Sequence, residues 1–240
     1  MTNSYFIPKT HSTNALLREM LRKENLDEGY LLHTDFQEAG KGQSGNSWES
    51  AAGENLLFSM VLYPEQIAID EQFILSQLVS IAIKKVLDKY VEDVTIKWPN
   101  DIYWKDKKLA GILIESSLQG SKIKSMVIGI GLNVNQTEFF SDAPNPISLS
   151  QIVGREQDRV ILLESIAKNI MVMYSEMHTK SIQSEYAEML YRKDGFHLYQ
   201  SEEALFKASI HAVRPDGQLV LLTEKGSLRN FYFKEVAFVQ

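Results

Sequence analysis

Ile96-Lys97-Trp98-Pro99-Asn100-Asp101-Ile102-Tyr103-Trp104, followed by Lys108-Leu109-Ala110-Gly111-Ile112-Leu113-Ile114-Glu115, is the stretch that decides how this chain folds. Val94–Lys97 reads as a strand, and Pro99 stops its regular pairing because proline has no ladder donor. Leu109–Ser116 is an apolar strand opened by Lys108, and Ile123–Val134 reads as its neighbour. The two are joined by Leu118-Gln119-Gly120-Ser121, a hairpin-like turn, which is an antiparallel signature. Upstream lie strands at Tyr30–Thr34 and Asn55–Tyr63. A helix capped by Ser12 or Thr13 carries Leu16, Leu17, Met20 and Leu21 at helical spacing and ends near Asn25. Asp70 to Tyr90 reads as a long helix with Ile74, Leu75, Leu78, Val79, Ile81, Ala82 and Val86 on its inner side.

Downstream, Asp158 can cap a second long helix to about His178, with Val160, Leu163, Ile166, Ala167, Ile170 and Tyr174 as its apolar stripe. A shorter helix runs on to about Arg192. From Gly195 the pattern changes to short strands at Phe206–His211, Leu219–Leu222 and Asn230–Phe233, separated by Pro215-Asp216-Gly217 and Lys225-Gly226, as in the hairpins of a small β-barrel. Separate runs of helices and strands followed by an all-β tail predict an α+β fold. The expected architecture is a mixed or antiparallel central sheet with flanking helices over residues 1–190, and a small C-terminal β-barrel over 191–240.

The composition is that of a globular chain: 240 residues, 44% hydrophobic, 23% charged and without cysteine. Disorder, a disulfide framework, a thiolate metal site and a cysteine nucleophile are excluded. No segment has the 18 apolar residues of a membrane span, and Met1-Thr2-Asn3-Ser4-Tyr5 does not open an export signal, so a cytoplasmic protein is expected. The net charge of -6 argues against nonspecific binding to nucleic acid. Any anion must then be met by a few placed cations rather than by a general field. The histidines, His11, His33, His178, His197 and His211, show no ligand spacing for a transition metal.

Gly40-Lys41-Gly42-Gln43-Ser44-Gly45 satisfies the dinucleotide pattern G-x-G-x-x-G, but that pattern works by aiming a helix N-terminus at pyrophosphate. The residues that follow, Asn46 to Gly53, have no helical apolar period and lead into a strand. A Walker loop fails as well, since Asp35 and Gly42 stand where its first glycine and its Ser or Thr belong. What remains is a glycine loop whose backbone can close over an anion, with Lys41 adding positive potential. Trp48 inside it needs a flat apolar surface, either an adenine ring or the protein's own core. Lys97 at a strand end, Lys108 opening the next strand and Asp101 between them can bring two cations and a carboxylate together. Lys105 and Lys107 read as solvated turn residues.

Lys97-Trp98-Pro99-Asn100-Asp101 followed by Lys108-Leu109-Ala110-Gly111-Ile112-Leu113-Ile114-Glu115 resembles the signature of the biotin protein ligases. Ser12-Thr13-Asn14 resembles that family's Ser-Thr-Asn at its first helix, and Gln37 through Trp48 its biotinyl-adenylate loop. Gly129-Ile130-Gly131-Leu132-Asn133 resembles its Gly-x-Gly-x-Asn strand. The resemblance is dense from residue 5 to about 135. It implies a biotin/lipoate ligase-like catalytic domain with an SH3-like C-terminal barrel. The implied activity joins biotin to AMP from ATP and passes biotin to a lysine of a carboxylase's biotin carboxyl carrier domain.

By this resemblance Ser12, Thr13, Asn14 and Gln37 hold the biotin ureido ring, and Lys41, Gly42 and Gln43 cover biotin and adenylate. Lys108 sits on the biotin carboxylate. Lys97, with Lys41 and the amides of Gly42 and Gln43, neutralises the ATP phosphates. Asn100 and Asp101 help to hold Mg2+, Trp48 covers the adenine, Asn133 reads its edge, and Gly40 and Gly111 complete the nucleotide site. Lys108, Lys97 and Asp101 are the catalytic set, Asp101 also as a weak proton acceptor.

Many members carry arginines where this chain has Lys41, Gln43 and Ser44, so a bidentate guanidinium grip on the adenylate is missing. The regulatory branch places a winged DNA-binding domain before the Ser-Thr-Asn helix; with eleven residues ahead of Ser12, neither that domain nor DNA binding is expected. An exposed edge of the central sheet can pair with the acceptor or with a second copy as a homodimer. The competing readings are a lipoate or octanoate ligase and a catalytically silent biotin-binding module.

Overall fold

The computed structural model describes residues 4–141 and 145–239, with Ser44 described by its backbone alone. Ser44's side chain, one of the departures noted above, lies outside the described residues. A central sheet is built from β1 (Ser4–Thr10), β2 (Leu31–Gln37), β3 (Leu56–Leu62), β4 (Val94–Lys97), β5 (Asp101–Trp104), β6 (Lys107–Gln119) and β7 (Lys122–Leu132), in the order β1-β2-β3-β7-β6-β5-β4. Every neighbouring pair is antiparallel except β1 with β2, so the sheet is mixed. β1 was not foreseen. Its exposed Tyr5 and Phe6 and its Pro8-Lys9 hide the alternation of a half-buried strand, as an outer edge strand tolerates.

Because successive strand residues face opposite ways, the two faces of the sheet can be told apart. One face, with Leu31, Met60 and Ile128, packs on α2 (Phe73–Leu87), α4 (Arg159–Ser175) and α5 (Thr179–Glu188) in the main core. All seven residues expected on the inner side of α2 are buried. On α4, Leu163, Ile166, Ala167, Ile170 and Tyr174 are buried as expected, whereas Val160 is exposed in the first turn. Asp158 caps α4 by accepting from the amides of Val160 and Ile161. The opposite face, with Leu32, Val61 and Val127, packs on Leu17 of α1 (Thr13–Lys23). A one-turn α3 (Leu149–Val153) with a capping box follows β7.

The tail forms a second sheet of five strands, β8 (His197–Ser201), β9 (Leu205–Val213), β10 (Leu219–Thr223), β11 (Leu228–Phe231) and β12 (Val236–Phe238), in the order β11-β10-β9-β8-β12. The strand expected at Asn230–Phe233 ends at Phe231, which leaves Phe233 in the connection to β12. Tyr199, Leu219, Leu221 and Phe231 of this sheet belong to the same buried cluster as α2. Across the junction the Trp98 indole N–H donates to Gly217 O at 2.9 Å. Among the described residues no helix is long and apolar enough to cross a membrane.

Candidate active site

Register explains why the α1 face of the sheet has a hollow. Lys97, Asp101, Gly111, Gly131 and Leu57 stand opposite one another across β4, β5, β6, β7 and β3, and Leu113, Gly129 and Ser59 form the adjacent row on the same face. Three glycines here leave the sheet without side chains beside the N-terminus of α1. The hollow has a cavity volume of about 110 Å³ and opens to solvent. Its wall includes Ser12, Thr13, Asn14, Gln37, Lys41, Gly42, Gln43, Trp48, Asn100, Asp101, Lys108 and Gly111.

The floor is a row of polar side chains. Ser12 caps α1, its hydroxyl accepting from Ala15 N–H. Gln37 Oε1 accepts from the amide of Thr13 at 2.8 Å and from its hydroxyl at 3.0 Å. This fixes the Gln37 amide, and among the described residues its Nε2 donates to no protein acceptor. Asn14 Nδ2 donates to Glu115 Oε2 at 2.9 Å and to Leu113 O at 3.2 Å, which turns Oδ1 toward Ser59. Arg18 pairs with the same Glu115 carboxylate.

Ser59, fully buried, has one hydroxyl hydrogen for two oxygens, Asn14 Oδ1 at 2.6 Å and Thr13 Oγ1 at 2.8 Å. The Thr13 hydrogen is already directed at Gln37. Three oxygen-to-oxygen contacts, Asn14–Ser59, Ser59–Thr13 and Thr13–Gln37, therefore share two hydrogens. Only two of the three contacts can carry a hydrogen at once, and a second donor reaching Asn14 Oδ1 would free the Ser59 hydrogen for Thr13.

Lys108 Nζ lies 2.8 Å from Asp101 Oδ1, with both side chains about four-fifths covered. The Lys108 backbone is fixed by Asn145 O, by the amide of Ile147 and by the side chain of Asn133. Lys97 shares the row but does not line the hollow. Its ammonium donates to Tyr103 Oη at 3.0 Å and lies 4.6 Å from the Tyr103 ring and 5.3 Å from the Phe238 ring. Burial lowers its pKa below the ordinary lysine value; Asp101 opposes this, and Lys108 and Arg192 add to it. Asn100 is buried, with its Nδ2 donating to Ile112 O.

The glycine loop is folded back on itself. Gly42 N–H donates to Asn46 O at 2.7 Å, Trp48 N–H to Gly40 O at 2.9 Å, and Gln43–Gly45 make one 3₁₀ turn. In this conformation the Gly42 N–H already has a carbonyl partner. The Trp48 indole lies against the glycine row: a Cβ on Gly111 would come within 2.9 Å of it and one on Gly131 would overlap it. Gly111 thus seats Trp48, and Trp48 Nε1 is buried without a partner.

Asn133 is not in the main wall. It lines a smaller pocket on the far side of Trp48 with Lys108, Phe139 and Pro146, and its Nδ2 donates to Ile147 O at 3.2 Å. The structure therefore gathers Ser12, Thr13, Asn14, Gln37, Lys41, Gln43, Trp48, Asn100, Asp101 and Lys108 around one space and leaves Lys97 and Asn133 at its margins. Ser59, Arg18 and Phe233 were missed. A lone serine inside the apolar run Leu56–Leu62 is a signal, since a fully buried hydroxyl needs a partner.

The model of the Biotin/lipoate A/B protein ligase family matches residues 5–133. The bifunctional ligase/repressor BirA of Bacillus subtilis (strain 168) is 35% identical over 152 residues, covering 61% of this chain and 46% of that protein. BirA of Escherichia coli (strain K12) is 38% identical over 132 residues, covering 53% of this chain and 39% of that protein. The matched stretch is under half the length of either relative. The biotin protein ligase from Aquifex aeolicus in complex with biotin and ATP superposes over the whole of both chains with a TM-score of 0.80 at 24% identity, a likeness of fold. With a matching family model over more than half its length and the sheet, helix and hollow described above, this chain belongs to the biotin/lipoate A/B protein ligase family.

Proposed function

We propose that the chain is an ATP-dependent ligase that converts biotin to biotinyl-5'-AMP and transfers the biotinyl group to a lysine of a biotin carboxyl carrier domain. The floor carries this reading. Asn14 Oδ1 accepts from Ser59 and keeps a second lone pair, and Gln37 Nε2 has no protein acceptor among the described residues, a pairing complementary to a ring bearing N–H beside C=O. A cyclic urea meets both requirements; a dithiolane or a plain acyl chain meets neither. The relatives' names, and the biotin and ATP in the Aquifex aeolicus complex, agree with it.

In the first step a biotin carboxylate oxygen attacks the α-phosphorus of ATP, the bond to the β-phosphate oxygen breaks, and pyrophosphate leaves. Lys108 is placed to hold the attacking carboxylate and the phosphate it joins, with Lys41 and Lys97 near the departing charge. Trp48 offers a face to adenine, and the Nδ2 contacts of Asn133 leave its Oδ1 to accept from the adenine amino group. In the second step a lysine amine attacks the anhydride carbonyl, AMP leaves, and the amine proton is lost. Asp101, paired with Lys108, is our candidate to accept that proton.

Mg2+ takes oxygen ligands, keeps several waters and is usually held through one or two carboxylates plus phosphates. The Asp101 carboxylate and the Asn100 amide oxygen fit that pattern, and among the described residues no group of three or more His, Asp or Glu converges as a resident metal cage would need. When bound, the ion would neutralise phosphate charge. We place the boundary between a catalytic domain and an SH3-like tail at 190/191, and the cytoplasm as the compartment. The outer edge of β6 beyond Ile112, paired with β7 only, is our candidate edge for the acceptor or for a second copy of the chain.

The test is incubation with biotin, MgATP and a carrier domain, with the mass gain of the carrier as readout. Pyrophosphate exchange into ATP should require biotin and not respond to lipoate. Exchange driven by lipoate would refute the floor argument, and biotin binding without exchange would indicate a silent binder.

A further inference from the structure

We propose that Phe233, carried by the C-terminal sheet, closes the activation cavity, and that Tyr232 and Trp98 serve the site by holding it there; the inference rests on the adenylation reading above. Of the described residues lining the hollow, Phe233 alone comes from beyond Gly131. It is 36% exposed and is not part of the hydrophobic core, so its cover does not come from packing within the core.

The connection between β11 and β12 that carries it is tied at both ends. Tyr232 N–H donates to Glu235 Oε2 at 2.6 Å, and Glu235 N–H to Tyr232 O at 3.1 Å. The Tyr232 hydroxyl donates to Asp216 Oδ2 at 2.8 Å. Asp216 belongs to the turn whose next residue, Gly217, accepts the Trp98 indole N–H. That turn packs closely on the core: Gly217 has φ +89, and a Cβ there would come within 2.8 Å of the Phe73 ring.

A chain of contacts thus runs from Trp98, two residues from Asn100 in the cavity wall, through Gly217, Asp216 and Tyr232 to Phe233. The segment that supplies Asn100 and Asp101 is thus tied to the aromatic residue that shares their cavity wall. A mixed anhydride of a carboxylic acid and AMP is hydrolysed by water, and an apolar ring in the wall of the cavity that holds Lys108 and Asp101 excludes water and retains the intermediate. Trp98 and Tyr232 are positioning residues; neither lines the cavity.

The experiment measures AMP released from biotin and MgATP without an acceptor, divided by biotin-dependent pyrophosphate exchange in the same preparation. Phe233→Ala should raise this ratio, and Phe233→Leu, which keeps an apolar cover, should return it toward the original value. Tyr232→Phe should raise it by about tenfold, the low end of the factor expected when a hydrogen bond to a carboxylate no longer holds the closed position. Because Tyr232 is half exposed, the melting temperature of this variant should fall by no more than about 4 °C, and a merely structural loss would lower exchange and AMP release together and leave the ratio unchanged. An unchanged ratio in Phe233→Ala, or equal leakage from the alanine and leucine variants, overturns the closing role. Leakage in Phe233→Ala with none in Tyr232→Phe overturns the relay. Absence of biotin-dependent exchange in the unmutated chain overturns the adenylation reading itself, and this inference with it.

Discussion

Replacing Lys108 with alanine separates the activation chemistry from the fold. Its ammonium is held 2.8 Å from Asp101 with 22% of the side chain exposed, so the charge is fixed before substrate arrives and is only partly screened. A preorganised charge or donor aimed at developing negative charge is worth ~2.7–4 kcal/mol, which is roughly 10²–10³ in rate. The folded protein loses far less. A partly exposed ion pair contributes ~1 kcal/mol, and Asp101 regains water when the lysine is removed. In a chain of this size that is a fall in melting temperature of about 2–4 °C.

Pyrophosphate exchange and a thermal melt on the same sample read the two effects separately. The double variant Lys108→Ala with Asp101→Asn decides whether the loss arises from the missing cation or from the carboxylate left without it. The missing cation predicts that the double variant stays inactive. Exchange reduced by less than about tenfold in Lys108→Ala, or recovered in the double variant, would refute the role given to this residue.

Burial lowers Lys97, so its charge is lost on raising the pH below the ordinary lysine range; exchange should fall on that alkaline limb, and Lys97→Arg, always charged, should abolish the limb. The sign for folding is opposite: the unfolded chain binds this proton more tightly, so the Lys97 contribution to stability rises with pH between the folded and unfolded values, as urea titrations across alkaline pH would show. Gln43→Arg should restore a bidentate grip and slow escape of the adenylate, and an unchanged release rate in a rapid-dilution assay would contradict this. Gly131→Ala should displace the Trp48 indole, cost ~1–3 kcal/mol in denaturant unfolding and raise the KM for ATP more than that for biotin.

Much of the architecture could be read from periodicity, because α2 and β3 bury nearly every apolar residue they carry and the Ser12 cap is local chemistry. β1 escaped for the opposite reason: as an edge strand it buries little and has no pattern to show. Individual site residues were legible where a motif displays them, as with Thr13, Gln37 and Lys108. The partnership between Trp48 and the glycines of β6 and β7 was not, since it depends on which residue of one strand stands opposite which of the next. Lys97 shows the limit in the other direction. Its position in the row was foreseeable, but the turn of its ammonium toward Phe238, 141 residues later, depends on a tail whose docking leaves no trace in local sequence.

The unbroken apolar packing between α2 and the C-terminal sheet bears on how substrates enter. Domains that swing relative to each other need a thin, wet seam, and none is present where Leu219, Leu221 and Phe231 join the main cluster. A hinge at the junction is therefore disfavoured, and admission of a ligand to the hollow falls to the segment from Gly40 to Gly53, which lies outside that cluster. The molecule is a rigid vessel with one pliable rim, and exchange of amide hydrogens should be fastest along that rim.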